Sequence, residues 1–168
     1  MPAAAVWACT TVAVAGQSAS PQPEAPVPPA LRAAKTAFVS NAGSDSGLFP
    51  EPFSGDPARP YAEFYNDLKA TGQLELVDDP SAADLILEIR LIAPSGPSNP
   101  QKQKGASDPL PMLRLVAYDR RSHYVLWTCT ESVEEAFLQK THDRNLDEAI
   151  SRLTADFETV RHPPPPGP

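Results

Sequence analysis

Proline limits where this chain can fold. It fixes φ and has no backbone N–H, which excludes it from helix interiors and central strands. The sequence holds 21 prolines in 168 residues, against a usual share of about 5%. They gather at residues 21–29, 50–60, 94–111 and 163–168, which assigns those stretches to linkers, loops and a tail and leaves the segments between them free to form regular structure. One α+β domain is therefore expected over residues 34–161, with a Pro-rich linker at 16–33 and a Pro-rich disordered tail at 162–168. A hydrophobic content of 41% is enough for one continuous core in a chain of this length.

The first residues carry the pattern of an export signal. Residues 3–15, AAAVWACTTVAVA, are uncharged and mostly apolar, and a polar Ser- and Pro-rich stretch follows. As a helix this run is too short to span a hydrocarbon core of ~30 Å, but it matches the apolar region of a secretory signal peptide. Ala13 and Ala15 supply the small-x-small pattern that signal peptidase accepts, so residues 1–15 are expected to be removed. The basic residues that normally precede such a run are missing, which fits a start further upstream. Val6-Trp7-Ala8-Cys9 loosely resembles a lipobox, and lipidation at Cys9 is the one route to membrane attachment that the sequence offers. Either form is expected in the periplasm or at the outer-membrane periphery. With cleavage after Ala15, Cys129 is the one cysteine of the mature chain, which excludes an internal disulfide.

Between the prolines the periodicities are readable. Residues 35–41 form a short β-rich run, and a long Gly-, Pro- and Ser-rich loop with Leu48, Phe49 and Phe53 follows over 41–59. Tyr61, Phe64, Tyr65 and Leu68 recur at helical spacing, with Pro60 at the start and Gly72 past the end. Residues 73–78 read as a short strand. In 83–93, Leu85, Leu87, Ile89 and Leu91 alternate with Glu88 and Arg90, the pattern of a half-buried strand. Residues 94–111 have no periodicity. MLRLVAYD and HYVLWTCTESVEE read as a hairpin, with Leu113, Leu115 and Ala117 facing one way and Val125, Trp127 and Cys129 likewise. Asn145 and Glu148 have capping-box spacing, which predicts a helix from Asn145 to near Arg161 with the stripe Leu146, Ile150, Leu153, Phe157 and Val160. The order β-α-β-β-β-β-α predicts a mixed, mostly antiparallel sheet of about five strands with two helices on one face. The other face is left polar or available to a partner.

Reactive groups are sparse. A net charge of −7 with no basic block argues against nucleic acid and against an anionic membrane surface. The three histidines, His123, His142 and His162, lack metal-ligand spacing, so no metal, cofactor or catalytic residue is expected. His142-Asp143 reads as a solvated turn before the last helix. GSDSG at 43–47 has Asp45 where a nucleophile elbow needs serine, and it lacks the Gly-Lys-Ser/Thr of a phosphate loop. The residues best suited to contact are the aromatics of the long loop and the hairpin: Phe49, Phe53, Tyr118, Tyr124 and Trp127. The competing expectation is a small secreted hydrolase or ligand-binding protein with its site in the 41–59 loop.

Three segments, FYNDLKATGQLELVDDPSAADLILEIRL, LRLVAYDRRSHYVLW and NLDEAISRLTADF, together resemble the α+β domain of the TolB amino-terminal region and the CsgG-like envelope lipoproteins. The resemblance lies in a helix ending in glycine and feeding a strand, Ala83-Asp84 opening an apolar strand, Tyr118-Asp119 before the hairpin turn, Leu126-Trp127 after it, and a closing amphipathic helix. It implies a non-enzymatic envelope module that contacts an envelope protein or itself. The resemblance does not extend to the propeller or the pore of those families, so neither the transport partnership of the one nor the channel of the other is implied.

Overall fold

The computed structural model of the protein describes residues 26–98 and 107–163. The signal segment with Cys9, the linker up to residue 25, and the tail beyond residue 163 lie outside them. In chain order the elements are helix α1 (Pro29–Ala33), strand β1 (Thr36–Ser44), helix α2 (Arg59–Thr71), strand β2 (Glu75–Leu76), a 3-10 turn (Pro80–Ala82), and strands β3 (Leu85–Ile92), β4 (Ser95–Ser98), β5 (Ser107–Pro109), β6 (Met112–Asp119) and β7 (Val125–Ser132). Helix α3 (Gln139–Arg161) is the last element of the described residues. The fold is α+β as expected. Its main sheet has the order β2-β1-β3-β6-β7, and β4 and β5 form a separate two-stranded ladder inside the stretch read as structureless.

β1 runs parallel to both β2 and β3, while β3–β6 and β6–β7 are antiparallel. Strand alternation puts Leu85, Leu87, Ile89 and Leu91 on the same side as Ala37, Val39, Leu113, Leu115 and Ala117. All are buried beneath Phe64 and Leu68 of α2 and Leu146, Ile150, Leu153 and Phe157 of α3. This is the predicted single core between one sheet face and two helical stripes. Gly72 ends α2 with φ 63°, a left-handed conformation natural to glycine, and its N–H caps the Lys69 carbonyl.

Two boundaries differ from expectation. Residues 29–33, read as linker, form α1, whose Leu31 is fully buried. Arg161 at the end of α3 holds this segment by donating to the carbonyls of Ala34 (3.0 Å) and Leu31 (3.4 Å). The second difference is that α3 starts at Gln139, so the Asn145/Glu148 pair lies inside the helix and caps nothing. Asn145 Nδ2 instead donates to the Glu134 carbonyl at 3.0 Å, tying the β7–α3 connection to the helix. The extra turn exists because its side chains have partners in the long loop.

Candidate functional site

Those partners lie in the 41–59 loop, the segment expected to supply a contact or catalytic surface. Phe53 is fully buried, with its ring 5.9 Å from that of Phe49 and 5.8 Å from that of His142. It belongs to the core and offers no contact surface, and the half-buried Phe49 packs against the same core. Asp143, read as solvated, accepts from Ser54 N (2.9 Å) and Ser54 Oγ (2.7 Å), and from Arg59 Nη1 at 2.7 Å. Arg59 also donates to Glu63 at 2.6 Å and to Asp147. Burial pushes the Asp143 carboxyl up, but the bonds from Ser54 and Arg59 outweigh it and the net shift is downward. Asp45 is likewise engaged: its carboxylate accepts from Arg90 Nη2 (2.8 Å) and the Ala93 amide (3.0 Å). The polar groups of the loop thus hold it to the body.

The hairpin aromatics do not converge either. A bulge at Leu126 shifts the register, so that Trp127 opposes Ala117 while Val125 opposes Tyr118. Trp127 therefore lies half-buried on the helix side against the core. Tyr118 and Val125 lie on the other side, with Val125 55% exposed, and Tyr124 projects from the turn at 74% exposed. Val125 thus does not share a face with Trp127 and Cys129. Burial pushes the Cys129 thiol up to about 11, which leaves it protonated and unreactive at neutral pH. Among the described residues no three His, Cys, Asp or Glu side chains could hold a metal ion, and no helix is long and apolar enough to cross a membrane.

Among the described residues no helix covers the other face of the sheet. Phe38, Ile86 and Tyr118 line up across three strands there and are half-buried, and Val116, two residues before Tyr118 on the same face, is buried. At the hairpin end a groove of about 440 Å³ has Phe38 and Ile86 as apolar lining and Arg120, Arg121 and His123 as basic lining. Sequence reasoning left this face polar or available to a partner and named Tyr118, but it did not single out Phe38 and Ile86, which sit between the core positions Ala37 and Val39 and between Leu85 and Leu87 and so point to the opposite side. The carboxylates nearby serve the backbone. The Ser122 and Arg121 amides, 2.8 and 2.7 Å from Asp119 Oδ1, hold that carboxyl below the usual range, and the amides of Lys35 and Thr36 do the same for Asp84. His123 closes the turn with φ 60° and donates its N–H to the Asp119 carbonyl at 2.8 Å. A side chain in this left-handed region costs about 1–2 kcal/mol. His123→Gly is therefore expected to raise the thermal midpoint, by up to about 1 kcal/mol of stability after the loss of chain stiffness. His123→Val should lower it, and a melting scan of the two variants checks both.

No family model matches the chain, and no curated protein matches it. Solved structures with a similar chain path include the PelC dodecamer from Paraburkholderia phytofirmans, at 12% identity and TM-score 0.47, covering 75% of this chain and 88% of that one. A hypothetical protein from Chlamydia trachomatis aligns at 9% identity and TM-score 0.47, covering 76% and 98%. A DUF4136 family protein from Bacteroides thetaiotaomicron aligns at 13% identity and TM-score 0.46, covering 78% and 92%. These are loose likenesses of fold.

Proposed function

We propose that this is a non-enzymatic protein of the bacterial cell envelope that works by binding another protein through the sheet face its helices leave bare. One observation carries the reading: among the described residues the helices pack on one side of the sheet, and the opposite side keeps Phe38, Ile86 and Tyr118 partly exposed beside a basic groove. Exposed apolar patches rimmed by polar groups are a usual mark of interaction sites. The envelope location rests on the signal-like residues 3–15 and on the resemblance to the TolB amino-terminal and CsgG-like domains. A hydrolase with its site in the 41–59 loop has no observation in its favour, since Asp45, Ser54 and Asp143 are engaged in packing that loop.

The test compares the full chain with an Ile86→Glu variant in cross-linking from envelope fractions. A partner captured by the native chain and lost on Ile86→Glu, with the melting temperature unchanged, is the expected result. Equal capture by both chains would refute the bare face as the contact surface. Recovery of intact residues 1–15 from the cytosol would refute export.

A further inference from the structure

The outer edge of the main sheet is β7, and its backbone has a definite phase. Val133 N donates to the Pro111 carbonyl at 2.9 Å, and the register pairs Glu131 with Leu113, Cys129 with Leu115 and Trp127 with Ala117. Antiparallel ladders alternate hydrogen-bonded and non-bonded pairs. Val133, Glu131, Cys129 and Trp127 therefore turn their peptide groups toward β6, while Thr128 and Thr130 turn theirs outward. Among the described residues β7 pairs with β6 alone, and both threonines are exposed.

Folded proteins guard such edges with lysine, proline, bulges or very short strands. This edge has no lysine or proline, and its one bulge lies at the hairpin end, leaving 127–132 regular. Its single charge, Glu131, accepts from Arg152 Nε at 3.2 Å on the helix side, so little charge opposes a neighbouring strand. The opposite edge, β2, is only two residues long. Head-to-tail growth of the sheet from β7 to β2 is thus poorly supported, whereas β7 against β7 is self-complementary.

We infer that β7 pairs antiparallel with β7 of a second copy of this chain, about a twofold axis at Cys129. In that register Thr128 of each copy faces Thr130 of the other, their outward N–H and C=O groups form hydrogen-bonded pairs on both sides of the axis, and their β-branched side chains meet on the bare face. Cross-strand Thr–Thr pairs of this kind are favourable. The closed twofold contact makes a dimer and stops growth. The two bare faces become one continuous sheet surface. This inference goes beyond the contact reading above and does not depend on it, since the dimer forms whatever the bare face binds.

Thr130→Pro tests it, because it removes an outward N–H and leaves the ladder to β6 intact. Sedimentation of the native full chain is expected to rise from monomer to dimer with concentration. The variant, with an unchanged circular dichroism spectrum, should associate roughly tenfold more weakly or worse, from two lost hydrogen bonds per dimer. Amide exchange on the native chain is the second measurement and needs no variant: protection of Thr128 and Thr130 should grow with concentration. A native chain that stays monomeric, a dimer that survives Thr130→Pro, or edge amides that exchange at the free rate within a dimer would each overturn it. If the proline variant does not fold, the exchange data decide. An Ile86→Glu chain should still dimerise, which separates this outcome from failure of the contact reading.

Discussion

Phe53→Ala is expected to destabilise the domain by about 4 kcal/mol, the range measured for deleting a buried aromatic ring. The reason is burial: Phe53 has no exposed surface and sits between the Phe49 and His142 rings, with its N–H donating to the Leu48 carbonyl at 3.2 Å. Truncation would leave a cavity under the long loop and loosen the first turns of α3. For a domain of this size that corresponds to a midpoint shift of roughly 10–20 °C. Phe49→Ala removes a ring already half in water and should cost about 1 kcal/mol. A calorimetric scan of both variants is sufficient. If Phe53→Ala melted within a degree or two of the native protein, the loop would not be packed as described, and its aromatics would again be free to contact a partner.

The contrast between these two phenylalanines marks where sequence reasoning worked and where it stopped. Elements set by local chemistry were legible. The alternation of Leu85 to Leu91, the proline and glycine bracketing α2, and the short loop between β6 and β7 each report a constraint acting within a few residues. Features set by distant partners were not. The early start of α3 depends on Asp143 accepting from Ser54, 89 residues away, and α1 is held by Arg161, 127 residues beyond Ala34. The proline count pointed the wrong way at both places, because prolines at 50–60 and 28–29 mark irregular backbone and say nothing of whether it packs. The facing of the hairpin residues was misread for a different reason. One inserted residue at Leu126 reverses which face Val125 takes, and no local pattern announces it.

Arg59 provides the strongest test of the long-range links. Its guanidinium, only 18% exposed, is shared among Glu63, Asp143 and Asp147 and also donates to the Ser54 carbonyl at 3.3 Å. Arg59→Ala would leave three carboxylates close together without their cation, and a cost of about 2 kcal/mol at neutral pH is expected, since the cluster is only partly withdrawn from water. The double cycle with Asp143→Ala should return a coupling of about 1–2 kcal/mol, since each single variant removes the same bond.

The pH dependence has a definite sign. In the native chain the Asp143 carboxyl lies below its ordinary value, so its contribution is present above the unfolded pKa and lost as pH falls through the folded one. Glu63 is shifted the other way, raised by burial and by its neighbour Asp147, so it opposes folding at neutral pH and stops doing so as it takes up a proton. Without Arg59 nothing offsets the mutual repulsion of the three acids, and protonation relieves it. The deficit of Arg59→Ala should therefore be largest near neutrality and shrink toward pH 4. Urea unfolding of the native and variant chains at both pH values measures it. A deficit independent of pH would mean that Arg59 acts through the packing of its aliphatic stem, with the charge cluster contributing little.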